Sequence, residues 1–312
     1  MNHLPRALEI AELGRGTTHP NPVVGCVLVR DSKTVGEGWH ERKGGPHAEI
    51  VALAAAGERA RGATAYVTLE PCSHHGATPP CADALIAAGI AKVVVGALDP
   101  NPKVLSVERF RAAGVEVEVM DSFEARAQNE AWRTWIVQGR PFVTYKAAAS
   151  LDGRLTVPGR RWVTGEDSRR LVHELRAASD AVAVGMGTVR ADAPRLDARD
   201  VEAPRQPRRL AFGRGPLPEG SELELRTGPL AVELATLAGE GVQSLLLEGG
   251  PTLAAAFLAE DLVDKLLLFV APVLSGEGPG LLASVTGPVA LGRLSLRRLG
   301  EDALLSAYVH EP

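Results

Sequence analysis

An α/β fold in two domains is predicted by three features of the chain. Its 312 residues exceed the roughly 250–300 at which a single hydrophobic core stops growing. Short β-branched runs alternate with segments of helical apolar spacing, the pattern of helices covering a sheet. That alternation breaks at Gln138-Gly139-Arg140-Pro141 and then resumes, with no repeat relating the halves. The expected domains are residues 1–140 and 141–312.

In the first half, Leu4, Ala7, Leu8 and Ala11 have the spacing of one amphipathic helix over 4–14. Strands follow at 23–29 and 34–39. Residues 47–57 read as an alanine-rich helix ended by Gly57, and 64–69 as a short strand. Pro80 suits the opening of a helix from Cys81 to Ala88, because its missing N–H would be unpaired there anyway. Further strands are expected at 93–95 and 115–119. The second half begins with a strand from Phe142 to Ala149. Its later strands are expected near 181–184, 208–212, 244–247 and 265–271, and its helices at 166–177, 229–239 and 252–260. The stretch 192–222, rich in Pro, Gly and Arg, reads as loops around a strand.

Composition excludes some function classes. The chain is 45% hydrophobic and 23% charged, as globular proteins are. A formal net charge of −4 gives no general attraction to nucleic acid or to an anionic membrane. No apolar run is long enough to span a bilayer, and the N-terminal stretch carries charges unlike those of a signal peptide. A cytoplasmic protein is expected, acting on small molecules; a homo-oligomer is compatible with the sequence. Three cysteines do not suit a disulfide framework. Cys26, inside the apolar run Val23–Val29, reads as a buried small hydrophobe.

The other two cysteines belong to a constellation. His47-Ala48-Glu49 is followed by Pro71-Cys72 and, after eight residues, by Cys81. One imidazole and two thiolates make three zinc ligands, and a fourth position left to water marks a catalytic site. Cys81 falls in the first turn of its helix, where the dipole and free N–H groups favour a thiolate. Glu49, two residues beyond His47, is placed to shuttle protons without binding metal. Zinc deaminases use this arrangement, with the glutamate as general acid and base.

The gap between the cysteines reads Ser-His-His-Gly-Ala-Thr-Pro-Pro. Upstream lies His19-Pro20-Asn21-Pro22-Val23-Val24-Gly25, and downstream Leu98-Asp99-Pro100-Asn101-Pro102. In the second half come Ala149-Ser150-Leu151-Asp152-Gly153-Arg154, Trp162-Val163-Thr164-Gly165-Glu166, Val172-His173-Glu174-Leu175-Arg176, Val184-Gly185-Met186-Gly187-Thr188-Val189, and Leu247-Glu248-Gly249-Gly250-Pro251-Thr252-Leu253. Over nearly the whole chain, and in this order, the sequence closely resembles the bifunctional riboflavin-biosynthesis deaminase–reductases.

The resemblance implies a cytidine-deaminase-like α/β/α sandwich followed by a dihydrofolate-reductase-like domain, with zinc and NADPH as cofactors. It implies deamination of 2,5-diamino-6-ribosylamino-4(3H)-pyrimidinone 5′-phosphate, then reduction of the ribosyl group to ribityl. Asn21 and His75 would face the deaminase substrate. Ala148, Trp162, Thr188 and Asp192 would contact NADPH; Arg176, Leu196, Arg199 and Glu248 would contact the reductase substrate. The guanidinium fork suits Arg176 and Arg199 to the substrate phosphate. The turn at Gly249 and Gly250 would offer free N–H groups at a helix start to the dinucleotide phosphates. By itself such a turn is an ordinary strand-to-helix connection. The chain departs from the family pattern at Ala77, Arg160, Ala193 and Gly213. Two other readings stand beside the first: a nucleoside or tRNA deaminase with an accessory domain, and a deaminase whose C-terminal half only binds or assembles.

Overall fold

The computed structural model describes residues 2–73, 80–284 and 287–312. The chain divides into two compact units, Met1–Val137 with Pro312, and Gln138–Glu311.

The first unit is built on a five-stranded sheet. Helix α1 (Leu4–Ala11) leads through a 3-10 turn (Glu12–Gly14) to β1 (Gly25–Arg30) and β2 (Lys33–Trp39). Then come α2 (Ala48–Ala56), β3 (Thr64–Val67), α3 (Cys81–Ala87), β4 (Lys92–Val95), α4 (Ser106–Ala112), β5 (Glu116–Val119), α5 (Phe123–Gln128) and α6 (Glu130–Gln138). The strand order is β2-β1-β3-β4-β5. The first two pairings are antiparallel and the last two parallel.

Strand β1 is buried on both faces. Cys26 and Leu28 point into the core with α2 and α3, while Val27 and Val29 pack with Leu4, Ala7 and Ile10 of α1. Cys26 is fully buried, as the apolar run implied. Small residues let α2 lie close on the sheet. A Cβ on Gly36 would stand 2.3 Å from the Ala52 carbonyl oxygen, and one on Gly38 would stand 2.5 Å from that of Ala48. The glycines of β2 and the alanines of α2 therefore set the height at which His47 and Glu49 are held.

The second unit carries an eight-stranded sheet. Its elements are β6 (Phe142–Ser150), α7 (Glu166–Ala178), β7 (Ala181–Gly185), α8 (Met186–Asp192), β8 (Arg208–Phe212), β9 (Glu224–Arg226), α9 (Leu230–Gly239), β10 (Ser244–Leu247), α10 (Pro251–Ala259), β11 (Lys265–Ala271), β12 (Gly292–Leu299) and β13 (Asp302–Tyr308). The order is β12-β13-β11-β6-β10-β7-β8-β9. Pairing is parallel from β11 to β9 and antiparallel at β12 and β13. The parallel strands read as continuous apolar runs because helices cover both faces; Leu245, Leu246 and Leu247 are all buried.

Every element expected from sequence is present, and the differences are physical. The first helix stays α-helical only to Ala11, because the chain tightens to bring Gly14 against the His40 backbone, where a Cβ would stand 2.2 Å from the carbonyl oxygen. Strand β3 ends at Val67, and residues 68–72 leave the sheet to present Cys72. Helices α4, α5, α6 and α8 and strands β9, β12 and β13 were not anticipated. Among the described residues no helix is long and apolar enough to cross a membrane.

Candidate active site

In the first unit, three elements deliver the metal-type side chains. His47 occupies the N-cap position of α2, with extended backbone. Cys81 is the first residue of α3, after Pro80. Cys72 lies in the segment between β3 and α3. The Cys81 amide donates to Cys72 Sγ at 3.2 Å and the Ala82 amide donates to the Cys72 carbonyl at 3.2 Å. The start of α3 thus grips both the sulfur and the backbone of Cys72.

His47 Nδ1 is 3.1 Å from Cys81 Sγ and 3.7 Å from Cys72 Sγ. The three ligand atoms all lie within 4.8 Å of one another. Tetrahedral zinc with bonds of about 2.0–2.3 Å separates its ligand atoms by roughly 3.5–3.8 Å. The donor set and its spacing therefore fit zinc. Of the two thiols, Cys72 gives up its proton first. The Cys81 thiol, then His47 and the Cys81 amide, draw it down, and its charge pushes Cys81 up. A dication would make thiolates of both.

Glu49 sits in the first turn of α2 and is 3% exposed. Burial pushes its carboxyl up to about 7, and its side chain hydrogen-bonds with Cys81. It is within reach of the same pocket without being one of the three clustered ligands.

Asn21 is exposed, but its carboxamide is not loose. Its Nδ2 meets His40 Nε2 at 3.3 Å, and His40 Nδ1 is 2.9 Å from the Pro46 carbonyl oxygen. The carbonyl can only accept, so the His40 proton belongs on Nδ1 and Nε2 accepts from Asn21. The His40 ring also stands edge-on to His47, 5.5 Å between centroids. Asn129 fixes the chain just beyond, exchanging two 2.9 Å hydrogen bonds with the Val23 backbone.

Glu70 was not singled out from sequence, yet it anchors the cysteine segment. Its buried carboxylate accepts from the Ser106 amide at 3.0 Å, the Ser106 hydroxyl at 2.9 Å and the Asp99 amide at 3.3 Å. It caps α4, while Ser73 Oγ accepts from the Leu105 amide at 2.8 Å. Cys72 is held from both sides by the start of one helix. Adjacency to Pro71-Cys72 was the only sequence signal for Glu70. His75 and Ala77 lie outside the described residues.

In the second unit, Arg176 of α7 forms a fork with Glu248 at the end of β10, at 2.6 and 3.0 Å. Lys146 of β6 joins from the other side, 3.6 Å from Glu248. Burial pushes the Glu248 carboxyl up, but Lys146 and Arg176 outweigh it and hold it below its ordinary value. Lys146 was missed because a lysine inside the apolar run Phe142–Ala149 gives no periodic signal. Asp197 gathers the remaining cations. Its carbonyl accepts from Arg176 at 3.1 Å, and its carboxylate pairs with Arg199 at 2.7 Å and Arg195 at 2.9 Å.

Of the expected cofactor residues, Thr188, Asp192, Gly249 and Gly250 follow the C-terminal ends of β7 and β10. Gly185 ends β7 and leads directly into α8, which carries Thr188 and Asp192 four residues apart on one side. A Cβ on Gly250 would meet Thr188 Oγ1 at 3.6 Å, so the turns after β7 and β10 are neighbours. Ala148 is half-buried in β6, opposite Phe269. Trp162 is 51% exposed, and its ring faces the guanidinium groups of Arg161 at 5.1 Å and Arg169 at 5.7 Å. Leu196 is 2% exposed and packs with Val182, Val184 and Met186, so only its backbone could meet a ligand. Gly213, where the family pattern suggested an acid, has a φ of 131° and lies against Met186.

Comparison with known proteins agrees with this geometry. Residues 2–97 match the zinc-binding region of cytidine and deoxycytidylate deaminases, and residues 141–305 match the RibD C-terminal domain. The riboflavin biosynthesis protein RibD of Aquifex aeolicus is 40% identical over 97% of either chain, as is that of Escherichia coli. The solved structure of Acinetobacter baumannii RibD superposes with a TM-score of 0.85 at 37% identity, covering 98% of this chain and 97% of that one. A Thermotoga maritima diaminohydroxyphosphoribosylaminopyrimidine deaminase/5-amino-6-(5-phosphoribosylamino)uracil reductase gives 0.83 at 34% identity, covering 98% and 97%. The two sheets are accordingly a cytidine-deaminase-like fold and a dihydrofolate-reductase-like fold. The chain belongs to the RibD family, the bifunctional zinc deaminases and NADPH-dependent reductases of riboflavin biosynthesis.

Proposed function

We propose that residues 1–140 deaminate the diaminopyrimidinone phosphate and residues 141–312 reduce the deaminated product. The observation that carries the first step is one imidazole nitrogen and two sulfurs within 4.8 Å of one another, beside a buried carboxyl. His47, Cys72 and Cys81 would hold zinc, which supplies a water made nucleophilic near neutral pH. Glu49 takes a proton from that water and returns it to the departing amino group, so that water and the ring amine become a carbonyl and ammonia. Asn21, oriented by His40, hydrogen-bonds the pyrimidine; His75 is assigned to the same substrate from its sequence position alone.

NADPH would supply hydride to the opened ribose carbon. Thr188, Asp192 and the Gly249-Gly250 turn, with Ala148 and Trp162, are assigned to the cofactor. The nine-residue α10 begins at Pro251 after the Gly250 cap, which leaves backbone N–H groups for its phosphates. Arg176, Arg199 and Glu248 are assigned to the substrate, with the Leu196 backbone beside them. Lys146 and Arg176 keep Glu248 ionised and fixed in place. A metal site that needs the Cys72 and Cys81 thiols unoxidised, together with the family's use of NADPH, favours a cytoplasmic location.

A coupled assay on the diaminopyrimidinone phosphate tests the order. Without NADPH the chain should release ammonia and accumulate the ribosylamino product; with NADPH it should proceed to the ribityl product. Ammonia release with no NADPH oxidation would leave the C-terminal half without its assigned activity.

A further inference from the structure

The Arg176 cluster includes an imidazole with no part in that reading. His173 lies three residues before Arg176 on α7, so the two side chains leave neighbouring points of one helix face. His173 Nδ1 is 3.2 Å from the same Asp197 carbonyl oxygen that accepts from Arg176, and it is placed to accept from the Arg199 amide at 3.4 Å. The segment behind it is pinned. Gln206 exchanges two 2.8 Å hydrogen bonds with the Ala198 backbone, and Asp197 is 9% exposed. Among the described residues His173 Nε2 has no hydrogen-bond partner.

We propose that His173 is the third group of the reductase phosphate site, its Nε2 donating an N–H to the anion beside Arg176 and Arg199. The proposal rests on the reading of those two arginines as phosphate ligands. A neutral imidazole has one N–H. The Asp197 carbonyl can only accept and the Arg199 amide can only donate, so Nδ1 of the neutral ring serves one of them and not the other. A phosphate dianion also only accepts. Only the imidazolium donates to the Asp197 carbonyl through Nδ1 and to the anion through Nε2 together, so anion binding favours uptake of a proton.

The charges around His173 set the direction. Arg176 faces it from α7, and Arg199 and Asp197 from the 195–199 segment. Arg195 balances the Asp197 carboxylate, Glu248 balances Arg176 from the end of β10, and Glu174 on α7 lies toward Arg170. In the anion-free protein, burial and then the Arg176 and Arg199 charges hold His173 below its ordinary value. A bound dianion offsets those two charges and draws it up. The site then binds a phosphate monoester more weakly as the pH rises past neutrality.

The test is the KM for reduction of the deaminated phosphate substrate, at saturating NADPH, between about pH 7 and about pH 8.5. In the wild type KM should rise several-fold over that range with kcat nearly unchanged, the mark of uniform binding. H173Q should show a high KM at the lower pH and no dependence. H173K, which keeps a cation throughout, should restore a low and flat KM. Thermal melting of each variant verifies the fold. A wild-type KM and slope retained in H173Q overturn the proposal. R176Q and R199Q separate the two layers. If they raise KM and H173Q does not, only the His173 assignment fails. If they leave KM unchanged, the phosphate reading falls and the proposal falls with it.

Discussion

Glu49→Gln is expected to lower kcat for deamination by about 10²–10⁴-fold, the usual contribution of a positioned general acid–base. The replacement keeps the volume and a hydrogen-bonding end, so the pocket between α2 and α3 should keep its packing. It removes the buried carboxyl placed to take a proton from water and give it to ammonia. Zinc content should be unchanged, because the three clustered ligand atoms belong to His47, Cys72 and Cys81. Reduction of already deaminated substrate should proceed at the wild-type rate, since the second unit has its own sheet and core. Ammonia release and NADPH oxidation, followed separately, read the two steps. Normal ammonia release by the variant would remove Glu49 from the chemistry.

Asp264→Ala is expected to destabilise the second unit by about 3–5 kcal/mol, the cost of leaving a buried charge without its partner. Asp264 receives a two-pronged pair from Arg140, both contacts at 2.7 Å, and its side chain is 1% exposed against 10% for Arg140. The Val143 amide donates to the same carboxylate at 2.7 Å, and His310 lies 3.3 Å away. The cluster ties the starts of β6 and β11 to the end of β13. Burial pushes the Asp264 carboxyl up, but Arg140 and His310 overcome that and hold it below its ordinary value. Urea denaturation followed by reductase activity should show the midpoint fall. The double variant R140M/D264L should lose much less, because no buried charge is stranded. Equal losses in both would mean that packing, not charge, is at stake.

What the sequence disclosed and what it withheld follow physical lines. Helix α2 and strands β1 and β10 were legible because each carries its own signal: a run of alanines closed by glycine, or apolar stretches with turn residues at both ends. His47, Glu49, Cys72 and Cys81 were legible together because the chemistry demands those residue types at those places. Helix α4 was hidden because its cap is Glu70, 36 residues earlier in the chain, and no local pattern records so distant a partner. Strand β12 was hidden for the opposite reason. Its six central residues are all exposed, so Leu294 and Leu296 mark no buried face. The reductase residues were reached through resemblance alone. Arg176 and Glu248 meet only when α7 and β10 pack, and His173 acquires a neighbourhood only from the 195–199 segment.

Metal analysis of the purified chain and its three ligand variants bears most directly on the account. Close to one zinc per chain is expected in the wild type, as a site of three protein ligands and one water requires. H47A, C72A and C81A should each lose the metal and the deamination together while reduction survives. Full zinc retained in all three variants would contradict the assignment of this pocket as the metal site.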